Sequence, residues 1–118
     1  MALILLVDDE ADLTDGLVRL LTRFSHTCLT ASSGREAIAI IDADRIDLVV
    51  TDLHMPDMDG MAVARSARGK QPPIPVILMT AYPALESRPL LVVLGAIFLS
   101  KPFANADFLR AVQEALAS

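Results

Sequence analysis

Cysteine, long apolar runs and clustered basic charge are all scarce in this sequence, and each scarcity excludes something. A single cysteine, Cys28, leaves no internal disulfide to form and points to a reducing, cytoplasmic setting. Cys28 itself reads as a small hydrophobe in a strand. No apolar run approaches the ~20 residues that a membrane span needs. The opening run from Met1 to Val7 lacks a basic start and meets Asp8 and Asp9 at once, which argues against a signal peptide. Ten basic residues stand against fifteen acidic ones, for a net charge of −5. The basic residues are scattered, so no direct nucleic-acid binding by this chain is expected, because phosphate contacts need concentrated Lys and Arg. Internal repeats, low-complexity tracts and linkers are also missing.

What is present is a core. Apolar residues make up 53% of 118 positions, enough for one domain spanning residues 1–118. Short β-rich runs alternate with helical periodicity. Ala2–Val7 reads as a first strand, and Leu13, Leu17, Leu20, Leu21 and Phe24 recur at helical spacing after it. Thr27–Thr30 reads as a second strand, and Ser33-Gly34-Arg35-Glu36 has the capping-box form that opens a helix through Ala37, Ile38 and Ile41. Asp47–Thr51 follows as a third strand, with a helix from about Asp59 to Ala67. Pro75–Met79 is a fourth strand, and a helical segment falls within Ala84–Leu94. Ala96–Leu99 is the fifth strand, and Asn105 is placed as the cap of a last helix carrying Phe108, Val112 and Leu116 on one face. Five βα units imply an α/β fold with a doubly wound parallel sheet and helices on both faces. In such sheets ligands bind at the carboxyl ends of the strands, where the strand order reverses.

Those ends carry Asp8-Asp9-Glu10 after strand one and Asp52 in strand three. Strand four ends in Thr80-Ala81, and strand five in Ser100-Lys101-Pro102. Each residue alone has an ordinary structural reading: Asp9 and Thr80 as helix caps, Asp52 in a turn, Lys101 as a solvated charge. Asp8, Asp9 and Asp52 with Thr80 and Lys101 place three carboxylates, a hydroxyl and an ammonium on one rim. Two unit charges about 4 Å apart interact by ~1 kcal/mol in water and ~4 kcal/mol near a protein surface, so three acids need a cation among them. A hard dication such as Mg2+ suits an all-oxygen site. Three negative charges, two positive from the metal and one from Lys101 then sum to zero. Such a site can receive a phosphoryl group, and Asp52 is the best nucleophile in it.

The motifs VDDE (7–10), VVTDLHMPDMDG (49–60), MTAY (79–82) and SKPF (100–103) give the chain a resemblance to the receiver domain of two-component response regulators over nearly its whole length. That resemblance implies a flavodoxin-like (βα)5 fold with strand order 2-1-3-4-5. It implies Asp52 as phosphoacceptor for a sensor histidine kinase or phosphotransfer protein. Mg2+ would be held by Asp9, Asp52 and the backbone carbonyl of His54, with Asp8 acting through a water. Thr80 and Lys101 would bind phosphoryl oxygens, and the Lys101–Pro102 peptide is a candidate for a cis bond. The family pattern further implies a switch, not an enzyme beyond self-phosphorylation and slow autodephosphorylation. Thr80 is drawn in, Phe98 turns inward, and the face of the fourth helix, fifth strand and last helix changes for a partner or output domain.

Some features depart from the family. Gly95 to Lys101 is one residue short, which would shift the aromatic position if counted from Gly95. Pro89 interrupts the fourth helix and pushes Arg88 away from α geometry. Leu90 and Val93 stand where relatives usually carry charge, readable as a buried rotated face or as an exposed interface for a partner or a homodimer. His54 and Tyr82 lie where the family tunes phosphate lifetime. Two other readings remain: a phosphatase of the haloacid dehalogenase kind, which would need a second acid where His54 stands, and a receiver-like module acting without phosphorylation.

Overall fold

The structure, a computed structural model of the 118-residue chain, describes residues 2–57, 60–81 and 95–117. Five parallel strands form one sheet in the order β2-β1-β3-β4-β5: β1 Leu3–Val7, β2 Thr27–Ala31, β3 Leu48–Asp52, β4 Val76–Thr80 and β5 Ile97–Ser100. Every residue of β3 and β4 is buried. With β1, whose Leu5 and Val7 face one core and Ile4 and Leu6 the other, they are covered on both faces, and LILLV, LVVTD and VILMT are correspondingly unbroken by charge until the last position of β3. The edge strands β2 and β5 are only partly buried.

Successive strand residues point to opposite faces, and two cores follow from that alternation. Leu5, Val7, Val49 and Leu78 pack with Ala37 and Ile41 of α2 (Gly34–Ala43) and with Met61, Val63 and Ala64 of α3 (Gly60–Arg68). On the other face Ile4, Leu6, Val50 and Ile77 pack with Leu17, Leu20 and Leu21 of α1 (Ala11–Arg23). Phe108 and Val112 of α4, the last helix (Asn105–Ala117), complete that core. Leu116 is partly buried against it, as its spacing predicts. Cys28 is half-buried against the same core, the small-hydrophobe role expected of it. No helix among the described residues is long and apolar enough to cross a membrane.

Element ends differ from the sequence expectations by a residue or two, and three differences have a clear cause. Phe24 is not on the packed face of α1: it is the C-cap and stands 56% exposed. The chain there makes a Schellman turn, in which His26 N–H donates to the Leu21 carbonyl (3.1 Å) and Ser25 N–H to that of Thr22 (3.1 Å). Ser25 holds the left-handed position with φ of 69°. Asn105 is the first residue of α4 rather than its cap, since Phe108 N–H donates to the Ala104 carbonyl and moves the cap position back by one. The capping box of α2 forms with a shift: Glu36 N–H donates to Ser33 Oγ (3.1 Å), but Glu36 Oε1 accepts from Ser32 N–H (2.9 Å) instead of from Ser33. The expected fourth helix, with Pro89, Leu90 and Val93, lies outside the described residues, as does Tyr82.

Candidate functional site

Strand order reverses between β1 and β3, which run side by side with Val7 opposite Thr51. Asp8 follows β1 directly and Asp52 ends β3, so the two carboxylates flank that crevice. Both are buried, at 4% and 8% exposure, while Asp9 is exposed. One carboxylate oxygen from each of Asp8, Asp9 and Asp52 lies within 4.8 Å of the others.

The two buried acids are held in the same way. Asp8 Oδ1 accepts from Glu10 N–H (2.9 Å) and Oδ2 from Lys101 Nζ (2.9 Å). Asp52 Oδ1 accepts from His54 N–H (3.3 Å) and Oδ2 from Lys101 Nζ (3.3 Å). Each carboxylate thus spends one oxygen on the amide two residues ahead and the other on the shared ammonium. Glu10 also reaches Lys101 at 3.4 Å, though its side chain is 65% exposed and the contact is correspondingly screened. Lys101 is delivered by the end of β5, where its N–H donates to the Thr80 carbonyl (2.7 Å), and the bond to Pro102 is cis, as expected.

Burial is the largest single influence on the titration of Asp52 and of Lys101, with opposite outcomes. It pushes the Asp52 carboxyl above its ordinary value; Lys101 opposes that shift, Asp8 reinforces it, and the balance stays upward. For Lys101, burial pulls downward, but the bond and charge of Asp8, with Asp52 behind them, outweigh it and the ammonium is held more tightly. Asp8 is the nearer partner, so Lys101 relieves Asp52 only in part. Three carboxylates against one ammonium leave two negative charges to be met. An all-oxygen donor set of this charge suits Mg2+. Asp8, Asp9 and Asp52 fit that ion as donors.

The loop leaving Asp52 is pressed tightly onto the strand end. Gly60 N–H donates to the Leu53 carbonyl (2.6 Å), and a Cβ at Gly60 would fall on the Asp52 carbonyl oxygen and within 2.9 Å of Leu53 Cα. Only glycine fits there. Thr80 ends β4 fully buried, with Ser100 opposite it. Leu78 pairs with Phe98, so Thr80, Leu78, Phe98 and Ser100 share one face of the sheet. Phe98 packs, partly buried, against the α2–α3 core.

Two features of the structure escape sequence reasoning. Asp57 reaches α2, a contact across more than twenty residues that no spacing rule signals. A cleft of about 560 Å3 opens at the other end of the strands, between Ile41–Asp47 and Lys70–Pro75. It is larger than the 120 Å3 cleft beside Asp8 and Asp9, so size alone does not mark the chemistry.

A doubly wound sheet with an acidic, lysine-closed crevice at its strand-order reversal defines a class of α/β domains whose chemistry sits at the carboxyl ends of the strands. The comparisons narrow that class. Residues 4–113 match the response regulator receiver domain. The chain is 34% identical over 114 residues to the transcriptional regulatory protein GlrR of Escherichia coli, covering 96% of this chain and 26% of that protein. It is 39% identical over 115 residues to TcrA of Mycobacterium tuberculosis, covering 97% of this chain and 45% of that one. A receiver domain protein from Methanospirillum hungatei superposes with a TM-score of 0.92 at 27% identity, covering 99% of this chain and 94% of that one. The response regulator TrrA of Thermotoga maritima, solved in complex with Mg2+–BeF, gives 0.85 at 32% identity over 98% of this chain and 100% of that one. The chain belongs to the receiver domains of response regulators, the modules of two-component signal transduction. It spans about a quarter of the length of GlrR.

Proposed function

We propose that this receiver domain accepts a phosphoryl group on Asp52 from the phosphohistidine of a sensor histidine kinase or phosphotransfer protein. A carboxylate oxygen of Asp52 attacks phosphorus. The P–N bond to the donor imidazole breaks, its electron pair returns to the ring nitrogen, and that nitrogen takes up a proton. The chain supplies position and charge: Lys101 and the Thr80 hydroxyl meet the phosphoryl oxygens, and the loop through His54 keeps Asp52 at the mouth of the crevice. When bound by Asp9, Asp52, the His54 carbonyl and, through a water, Asp8, Mg2+ supplies the remaining positive charge. Thr80 then draws toward the phosphoryl group and Phe98, on the same face, follows it inward, which shifts the β5–α4 side toward the form that a partner or output domain reads. A cytoplasmic setting suits such a partner.

The observation that carries this reading is the meeting of Asp8, Asp9 and Asp52 within 4.8 Å, with Lys101 bridging the two buried acids. Beryllofluoride, which imitates the phosphoryl group on a carboxylate, tests it. Added with Mg2+, it should shift the amide resonances of Asp52, Thr80 and Lys101 in the wild type and leave those of Asp52→Ala in place. Equal shifts in both proteins, or none in the wild type, would overturn it.

A further inference from the structure

Asp57 lies in the loop between β3 and α3, yet its carboxylate is spent on a different helix. Oδ1 accepts from the backbone N–H of Gly34 (3.1 Å) and Oδ2 from that of Arg35 (3.0 Å), the first two amides of α2. The next two amides are met within the helix's own start: Glu36 N–H by Ser33 Oγ (3.1 Å) and Ala37 N–H by the Ser33 carbonyl (3.1 Å). Local sequence therefore caps half of this terminus, and the remaining half comes from a residue 22 to 23 positions later. A carboxylate at the positive end of a helix, with each oxygen on an amide, makes a charge-assisted and geometrically defined contact.

The other side of the contact is the loop that carries His54. Its first residue is fixed to β4, with Leu53 N–H donating to the Met79 carbonyl (2.8 Å). Gly60 closes the far end against Leu53, and Met55 is packed, partly buried, against the α2–α3 core. Asp57 adds a polar fastening between these points, immediately after Pro56. The Ser33–Glu36 cap bond of α2 involves no atom of Asp57. Among its described residues, 53–57, the loop carries one carboxylate, Asp57.

We propose that Asp57 is a positioning residue for the metal site. Its grip on the amino end of α2 holds His54–Pro56 where the His54 carbonyl can join Asp9 and Asp52 around Mg2+, and it couples occupancy of that site to the start of α2. This rests on the Mg2+ reading above. Coupling is reciprocal, so if the tether strengthens Mg2+ binding, Mg2+ must strengthen the tether.

Calorimetric titration of the full chain with Mg2+ alone, combined with amide hydrogen exchange at Gly34 and Arg35, tests it. Asp57→Ala should weaken Mg2+ binding about tenfold, the lower end of what outer support of metal ligands is worth. Asp57→Asn, which loses the charge but keeps an acceptor, should lose less. Ser33→Ala, which uncaps the same helix without touching the loop, should bind Mg2+ as the wild type does. Mg2+ should slow exchange of the Gly34 and Arg35 amides in the wild type. Asp57→Ser serves as a second truncation if the alanine chain folds poorly. Wild-type affinity in Asp57→Ala would make Asp57 a helix cap only. Weakening of Mg2+ binding in Ser33→Ala equal to that in Asp57→Ala would reduce its effect to helix capping. Either result overturns the proposal, whereas a wild type that binds no Mg2+ overturns the metal reading beneath it.

Discussion

Lys101 and Asp8, 93 residues apart in the chain, meet at 2.9 Å with only 14% and 2% of their side chains exposed. The pair joins the first and last strand ends of the site, and the same ammonium reaches Asp52 at 3.3 Å. Removing one partner of a shielded pair costs more than the pair itself contributes, because the other charge is left behind. Lys101→Ala leaves two buried carboxylates facing each other. It should destabilise the metal-free chain by about 2 kcal/mol, less than the usual cost of breaking a buried pair because the crevice opens to water. Mg2+ should recover more stability in the variant than in the wild type, as read from urea unfolding with and without the ion.

Gly60 is where the loop leaves no room. A methyl group there meets backbone at Asp52 and Leu53, which cannot swing aside as a side chain could. Gly60→Ala should cost about 1–3 kcal/mol through forced displacement of the loop. It should also slow labelling of Asp52 by a small phosphodonor, measured under conditions where the variant stays folded.

Ser25 holds φ of 69° at the end of α1, a conformation that costs a side chain ~1–2 kcal/mol and glycine little. Ser25→Gly should raise stability by up to about 1 kcal/mol, the gain being offset in part by the looser unfolded chain. Unchanged or lowered denaturation midpoints would count against the Schellman geometry described for Leu21–His26.

His26 follows that turn, and its Nδ1 accepts from the Ala2 N–H at 3.2 Å beside the β1–β2 pairing. Burial first, and the positive chain terminus second, lower its pKa below the ordinary 6.5. The folded chain therefore prefers the neutral ring. The stability this contributes is present above pH 6.5 and is lost as the pH falls through the lowered folded value. NMR titration of the ring should show a midpoint below 6.5. His26→Asn, whose oxygen can take the same N–H, should remove this part of the pH dependence of unfolding.

Much of the fold is legible in sequence because the inner strands are uninterrupted: the apolar runs of β1, β3 and β4 suit burial on both faces of a parallel sheet, and these three strands lie between the edges β2 and β5. The grouping of the strand ends is legible for a related reason: a carboxylate ending a buried strand needs a cation, and Lys101 reaches Asp52 at 3.3 Å, with Asp8 and Asp9 adding negative charge beside it. Phe24 misleads because helical spacing does not say where a helix stops; the turn at Ser25 does, and a serine gives no warning of it. Asp57 is silent because its partners are main-chain amides of another helix, which carry no sequence signature.

Intact mass after incubation with Mg2+ and acetyl phosphate, for the wild type beside Asp52→Ala, tests the central assignment most directly. The predicted result is a gain of one phosphoryl group in the wild type, lost on adding EDTA before the phosphodonor and missing from Asp52→Ala. Equal labelling of both chains, or labelling that needs no divalent ion, would contradict Asp52 as the metal-assisted acceptor.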